Sequence, residues 1–549
     1  MSNPSGWLVV WGLPPNNGAM SSVVSQSDRS ASLLASLREI LGPEGLLTEE
    51  EDLRFYGQDV HDVGRTPLAV VRPSKVEEVQ AAVRVCAANG VAVLPRGGGM
   101  SYTGGYLGSG QPAICLDLSA LNRVLEVSAT NGLVTVECGI TWKALDEQLE
   151  PHGLRVPSWG TLSGLRATVG GGLSQGAMFM GAARHGPVAD SLLGLDVVLA
   201  DGSLARVGAH AKREGAPFFR QFGPDFSAAF TGDCGALGIK VRASLRLMPR
   251  LPATAFLSAG FDAVEPMLEY MTEIGRGGLV TESFGFDAGM QRVRLKRARL
   301  AEGAQALSKV ADAAGGGLRG VREAAKVALS GRGYLDHVGA SLHLCLDEPD
   351  SEAANRGLEK LRGMLNGQGR EVPSSMPRVL RATPFGEVNS MLGPDGERWV
   401  PVHGTVPYSE AIPAYRAIHQ LFEAHAAECA TLEVEHGNMF CVVGDRGILI
   451  EPVFYWPDAR EAFHERVVSS SHLATLRSYN RNPAARELVL RLRKAAAELL
   501  QQHGAVHFQI GRYYRYQPAL DPGARQLLQA FKRLVDPQGI MNPGVLGLE

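Results

Sequence analysis

The chain has 549 residues, 45% hydrophobic and 20% charged, with a formal net charge of −3. That length calls for more than one domain, and the near-neutral balance gives no reason to expect a nucleic acid as partner. Seven cysteines without a CxxC pair argue against a zinc ribbon and a disulfide framework; they read as reduced thiols, so the cytoplasm is the expected compartment.

No apolar run is long enough to cross a bilayer, and "WLVVWGLP" near the start is too short, and lacks the basic flank, for a signal peptide. In chain order, residues 1–30 are rich in Ser, Asn, Pro and Gly and read as a loose extension, with Met20 as an alternative start. Residues 31–42 set Leu33, Leu34, Leu37, Ile40 and Leu41 at helical spacing. "PLAVVRPS" reads as a strand, and "KVEEVQAAVRVCAANG" as an amphipathic helix stopped by Asn89-Gly90. Next come the strand "VAVLP", the glycine-dense stretch "PRGGGMSYTGG" at 95–105, and the strand "AICLDLS". "RVLEVSATNGLVTVECG" predicts a β-hairpin with a tight turn at Asn131-Gly132. "TWKALDEQLEPHG" predicts a helix capped by Thr141.

A second glycine cluster, "TVGGGLSQG", lies at 168–176. Two strands flank the turn Ala200-Asp201-Gly202, and "TGDCGALGIKVRASLRLMP" closes an α+β block near Arg250. From 253 to about 430 strand-like and helical stretches alternate. Within them, residues 291–332 carry ten Lys and Arg against three Asp and Glu. That stretch reads as a solvated helical face in an insertion; a docking surface for a membrane or an acidic partner is the alternative. "NPAARELVLRLRKAAAELLQQHG" predicts a long helix with an Asn-Pro start and a glycine stop.

Glycine at the density of 95–105 lets backbone N–H groups approach a phosphate. The common nucleotide motifs are missing. No Gly-Lys-Ser or Gly-Lys-Thr follows the glycines, and neither cluster has the GxGxxG spacing. Two clusters about 70 residues apart in one block suggest instead two backbone cradles for a ligand longer than a mononucleotide. A pyrophosphate would sit on one and something flat near the other, with Arg96 and Ser101 as extra donors. A pair of tight turns is the plain alternative.

"PRGGGMSYTGG" resembles the flavin-pyrophosphate loop, Pro-Arg-Gly-Gly-Gly-Thr-Ser-x-x-Gly-Gly, of the vanillyl-alcohol oxidase and p-cresol methylhydroxylase flavoprotein family. "AVVRPSKVEEVQAAVRVCAANGVAVLPRGGG" is similar to that family's opening, and "AICLDLSALNRVLEV" to its next strand. "TVGGGLSQGAMFMGAARHGPVADSLLGLDVVLADGS" resembles its second flavin loop, "FTGDCGALGIKVRASLRLMP" its domain end, and "LVDPQGIMNPGVL" its closing motif. The resemblance covers about residues 50–549 and implies FAD as cofactor. It implies that Arg96, Gly97, Gly98, Gly99, Met100, Ser101, Gly104 and Gly105 hold the pyrophosphate. Thr168, Gly170, Gly171 and Ser174 would line the isoalloxazine and ribityl chain. Gly181, Gly186, Asp190, Gly238 and Ile239 would complete the pocket, and Asn542 would approach from the C-terminal end. Met100 stands where the family has threonine, so one hydroxyl donor is missing. No histidine lies between Pro95 and Leu107, so the covalent tether some members use there is not expected; His185 is the one considered elsewhere.

Within the family the chain is most similar to D-lactate, glycolate and other D-2-hydroxyacid dehydrogenases. Their chemistry needs a base for the hydroxyl proton and a cation for the carboxylate; the flavin accepts the hydride. "GAVHFQIGRYYRY" at 504–516 puts His507 on the catalytic histidine position, with a histidine packed in a strand as the alternative. Tyr513, Tyr514 and Tyr516 read as pocket wall or as core. In "MPRVLRATPF", before "WVPVHGTVPYS", Arg381 is the first candidate for the carboxylate and Arg378 the second. Several relatives bind a divalent metal through His-x-Gly-Asp-Gly-Asn-x-His and a glutamate beside the catalytic histidine. Here "EVEHGNMF" at 433–440 and Val506 align there. Glu433 and Phe440 replace the histidines, His436 lies between them, and no metal is expected.

The expected fold class is α+β: a two-subdomain FAD-binding domain of the p-cresol methylhydroxylase type at 31–252, a ferredoxin-like α+β substrate cap at 253–480, and a C-terminal helical segment at 481–549 returning to the flavin. The expected activity is FAD-dependent oxidation of a D-2-hydroxyacid, with electrons passed to a quinone or cytochrome. Two other activities of the same fold stand beside it: aryl-alcohol oxidation, and non-redox group exchange of the alkylglycerone-phosphate synthase kind. A non-catalytic flavin subunit is the third rival. A monomer or homodimer is expected, in the cytoplasm or at the inner-membrane surface.

Overall fold

The computed structural model describes residues 26–297 and 338–549. Most of the N-terminal extension and nearly all of the basic stretch at 291–332 lie outside these described residues. Short apolar runs alternating with an amphipathic helix build the first sheet. Val70–Val71, Ala113–Asp117 and Ala92–Arg96 run parallel, and Leu46–Leu47 is antiparallel at the edge. The crossover helix Val76–Asn89 buries Val76, Val79, Ala82, Val83 and Cys86, one stripe of a 3.6-residue period, and Gly90 ends it at φ 62°. In an open parallel sheet the ligand crevice opens at the carboxyl ends of the strands. The first glycine stretch leaves the strand Ala92–Arg96 at that end.

A second, antiparallel sheet has the order Val124–Ser128, Leu133–Glu137, Ile239–Arg246, Leu192–Val198, Leu204–Gly208. The expected hairpin forms, but Ser128 pairs with Leu133, so the loop is 129–132 rather than a two-residue turn. The Asn131 N–H donates to Ser128 Oγ at 3.3 Å, which closes the longer loop. Thr141 caps the helix Trp142–Leu149, its Oγ1 accepting the Ala144 N–H at 3.2 Å. The second glycine cluster is a short helix, Val169–Gln175, capped by Thr168. Glycine disfavours a helix by about 1 kcal/mol, yet here it is needed. A Cβ at Gly170 would stand 2.7 Å from Cys138, and one at Gly172 would stand 3.0 Å from Trp142.

The second half of the chain is built on one eight-stranded antiparallel sheet, ordered Arg370–Val372, Ala253–Phe261, Ala340–Glu348, Glu282–Asp287, Glu435–Val443, Gly447–Trp456, Arg398–Pro401, with Gly404–Val406 also paired to Gly447–Trp456. Both faces are covered. Along Gly447–Trp456, Ile448, Ile450, Phe454 and Trp456 pack under the helices Val264–Arg276, Ala411–Ala424 and Pro483–Gln502. Leu449, Val453 and Tyr455 face the other way, in a cluster that includes Met178 and Phe179 of the flavin half. The long helix begins as expected, Asn482 Oδ1 accepting the Ala485 N–H at 3.1 Å.

The chain then threads back between the halves. The Gln509 N–H donates to the Gln175 carbonyl at 2.7 Å and the Arg512 N–H to the Thr103 carbonyl at 2.9 Å. After helix Pro522–Val535 the closing motif pairs with the first sheet: the Val93 N–H donates to Ile540 and the Asn542 N–H to Val93. A buried Lys532–Asp536 pair at 2.6 Å holds that ending, Asp536 accepting from the Ile540 and Met541 N–H groups.

Candidate active site

The two glycine stretches abut. A Cβ at Gly97 would lie 2.2 Å from Thr168 Oγ1, and one at Gly98 would lie 1.8 Å from the Arg166 carbonyl oxygen. Between them opens a cleft of about 870 Å³. Of the expected residues, Arg96, Gly97, Gly98, Gly99, Met100 and Ser101 line it from one side. Thr168, Gly170, Gly171, Ser174, Gly238 and Ile239 line it from the other. Among the described residues, none of the backbone N–H groups of 97–101 has a protein acceptor. Backbone N–H groups this enclosed are normally paired, so five open donors on one loop mark a seat for anionic oxygens. Residues that lack Cβ atoms at the contact, and donors that lack acceptors, fit a pyrophosphate.

Arg96 lines the cleft, and its Nη2 has no hydrogen-bond partner in the protein. Its guanidinium lies within 5 Å of the ring centres of Phe55, Tyr56 and Tyr106. Its Nη1 donates to the carbonyls of Tyr56 and Gln58 at 3.0 and 3.2 Å. The Nη1 arm braces the loop. Asp59, which the sequence did not single out, does the same: its carboxylate accepts the N–H groups of Gly104, His61 and Asp62 at 2.7–2.8 Å. Burial, then the neighbouring Asp62, push its carboxyl above the usual range.

Gly104, Gly105 and Asn542 also stand behind the cleft rather than on its wall. Asn542 Nδ2 donates to the carbonyls of Gly105 and Cys234 at 2.7 and 2.6 Å, tying the first loop to the turn that leads to Gly238. Gly181, Gly186 and Asp190 lie at the seam with the second half of the chain. The Gly181 N–H donates to Glu282 at 3.2 Å, and Asp190 pairs with Arg446 at 2.7 Å. The sequence also missed wall residues: Thr161, Ser163, Gln175, Cys234, Lys240 and Gln509. Lys240 is recognisable only after folding, where buried Asp233 pairs with it at 2.7 Å.

Gln509 carries the wall toward His507. His507 is outside any strand. Its Nδ1 donates to the His403 carbonyl at 2.7 Å, and its ring stacks on Tyr514 at 4.1 Å. A carbonyl only accepts, so the proton sits on Nδ1 and Nε2 is left as the acceptor. Burial lowers the His507 pKa, against the opposing pull of the His403 carbonyl. Tyr514 is wall to His507 and brace to His403, its hydroxyl accepting the His403 N–H at 2.9 Å. His403 stacks on Phe508 at 3.7 Å. Tyr513 lies over Arg493, and Tyr516 packs into the core of the flavin half.

Arg381, the first candidate for the substrate carboxylate, is engaged by two carboxylates of the chain itself. Its Nη1 pairs with both oxygens of Glu282 at 2.5 and 2.6 Å, and its Nη2 with Asp347 at 2.6 Å. Arg155 pairs with the same Asp347 at 2.9 Å. Burial opposes the charge on Asp347, but the two arginines outweigh it and hold the carboxyl below its usual range. With both guanidinium arms committed, Arg381 has no fork for a substrate carboxylate. Arg378 lies 4.8 Å over the Phe256 ring and donates to Ser374 Oγ at 3.2 Å. At the aligned metal positions Phe440 is in the core and Val506 is exposed, while His436 packs on Phe422 at 4.1 Å.

A family model described as an FAD binding domain matches residues 67–208. The chain is 31% identical over 255 residues to a probable mitochondrial D-lactate dehydrogenase of Danio rerio, covering 45% of this chain and 48% of that one. It is 30% identical over 276 residues to a D-2-hydroxyglutarate dehydrogenase of Xanthomonas citri pv. viticola, covering 50% and 55%. The chain thus spans about half the length of the curated relatives it matches. Among solved structures, p-cresol methylhydroxylase with substrate bound superposes with a TM-score of 0.68 at 17% identity, covering 96% of this chain and 98% of that one.

Proposed function

We propose that this chain, which carries an FAD-binding domain of the p-cresol methylhydroxylase type, is an FAD-linked dehydrogenase that oxidises a D-2-hydroxyacid to the 2-oxoacid. The observation that carries the reading is the tautomer of His507. Held through Nδ1 by the His403 carbonyl, it leaves Nε2 as a base two residues before Gln509, a wall residue of the glycine-lined cleft. Gly97 to Ser101 would hold the pyrophosphate of FAD on their open N–H groups, and Thr168 to Ser174 would support the rest of the cofactor. Bound FAD supplies the hydride acceptor. His507 takes the hydroxyl proton at Nε2, Tyr514 keeps its ring in plane, and the apolar seam around Phe508 keeps water out. Electrons leave to a quinone or cytochrome. The hydroxyacid class is favoured by the D-lactate and D-2-hydroxyglutarate dehydrogenases among the relatives.

One observation favours a second reading, oxidation of an aryl alcohol. Arg381 is closed off by Glu282 and Asp347. The surroundings of His507 are aromatic, with Tyr102, Trp399, His403, Phe508 and Tyr514 in mutual contact. A dye-coupled assay with both substrate classes decides. Reduction of dye by D-lactate or D-2-hydroxyglutarate, with a 2-oxoacid as product, upholds the first reading. Reduction by benzylic alcohols alone replaces it with the second. A flavin-loaded chain that reduces dye with neither overturns both and leaves group exchange without electron flow.

A further inference from the structure

Large apolar side chains are seldom left bare in groups on a soluble surface. Here Phe218, Phe219, Phe222 and Phe226 are 60%, 60%, 65% and 55% exposed within one connection. The connection runs from the strand Leu204–Gly208 to the 3-10 turn Phe226–Phe230. It is shaped rather than slack. Arg220 pairs with Asp225 at 2.6 Å and donates to the Ala189 carbonyl at 3.2 Å, and Asp225 accepts the Ser227 N–H at 2.9 Å. At its root Phe230 packs edge-on against Phe531 of helix Pro522–Val535, ring centres 5.7 Å apart. The same helix exposes Leu527 and Leu534, each within four residues of Phe531.

The charges beside these side chains are mostly positive. Arg220–Asp225 and Lys532–Asp536 pair internally. What remains on the loop and the helix is Lys212, Arg213, Arg525 and Arg533 against Glu214 and Asp521. A second copy of the chain meeting this face across a two-fold axis would set like charges against each other. Anionic headgroups over an acyl boundary accept both the cations and the rings.

We propose that the loop 212–226, with the exposed stripe of helix Pro522–Val535, docks on an anionic lipid surface, Phe218, Phe219, Phe222 and Phe226 entering the headgroup layer. The contact is peripheral: among the described residues no helix is long and apolar enough to cross a membrane. This inference does not depend on which substrate the cleft takes.

The test is co-sedimentation of the full FAD-loaded chain with vesicles of phosphatidylcholine alone or mixed with phosphatidylglycerol. The expected result is binding to the mixed vesicles, weakened by salt, and little binding to phosphatidylcholine. The variant F218S/F219S/F222S/F226S should lose about tenfold or more of that binding, with its flavin spectrum and melting temperature unchanged. A chain that stays in the supernatant with anionic vesicles overturns the proposal. So does a quadruple variant that sediments like the parent. A parent that light scattering shows as a dimer, converted to monomer by the four substitutions, would assign the face to a second copy instead.

Discussion

His507 donates through Nδ1 to a carbonyl, and a carbonyl has no proton to return. The form in which it can act as the proposed base is the neutral ring with Nε2 open, and burial lowers its pKa. The acid limb of kcat/KM should accordingly fall below the ordinary histidine value of about 6.5, so activity persists at pH values where a free imidazole is charged. Replacing it, H507Q, should lower kcat by about 10²–10⁴-fold with the flavin spectrum retained. A variant within about threefold of the parent would remove His507 from the mechanism. Arg381 carries a different expectation. R381A strands buried Glu282, while Asp347 keeps Arg155, and breaking a buried ion pair from one side costs about 3–5 kcal/mol. Thermal unfolding should show that loss as a lower melting temperature; a stable R381A with only a raised KM would restore Arg381 as a substrate anchor.

At the scale of elements, the glycine loops are judged by what a methyl group would meet. G98A places a Cβ against the Arg166 carbonyl, which cannot move without parting the two loops. It should cost about 1–3 kcal/mol and yield protein that purifies with little flavin. G110A meets nothing within 4 Å and should retain its flavin; equal flavin content in the two variants would contradict the account of the cleft. Much at this scale was legible. The Asn89-Gly90 stop, the Thr141 cap and the Asn482-Pro483 start are local bonds, and local bonds are written in neighbouring residues. The turn after Ser128 was misjudged because a serine hydroxyl competes with the Asn-Gly preference. The second glycine run has only the Thr168 cap as a local sign of a helix, and the reason for its glycines, Cys138 and Trp142, comes from earlier in the chain.

Across the whole molecule the histidines set the response to pH. Burial, assisted mainly by nearby arginines, holds His61 and His464 far below the usual range; burial and then His507 do the same for His403. The unfolded chain binds these protons first, so their stability contribution is complete above about pH 6.5 and is lost as pH falls below it, by roughly 1.4 kcal/mol per imidazole per unit. Asp59, whose carboxyl is raised, works the other way in acid. Melting temperatures should therefore drop by several degrees between about pH 7.5 and 5.5, and a flat profile would mean these rings are charged in the fold. Long-range architecture was the least legible part. The FAD-binding fold followed from its motifs, but Asp59 takes its place only against Gly104, 45 residues on, and Gln509 only against Gln175 and Tyr102, hundreds of residues earlier. Nothing near Arg381 in sequence reveals that Glu282 and Asp347 pair with it.

The central claim joins cofactor, base and substrate class, and one titration addresses all three. Under argon, the FAD-loaded chain is titrated with D-lactate and then D-2-hydroxyglutarate while its visible spectrum is followed. The account predicts that the flavin band near about 450 nm bleaches with a D-2-hydroxyacid and bleaches far more slowly in H507Q. A flavin band that no D-2-hydroxyacid bleaches, or a chain that takes up no FAD at all, would contradict it.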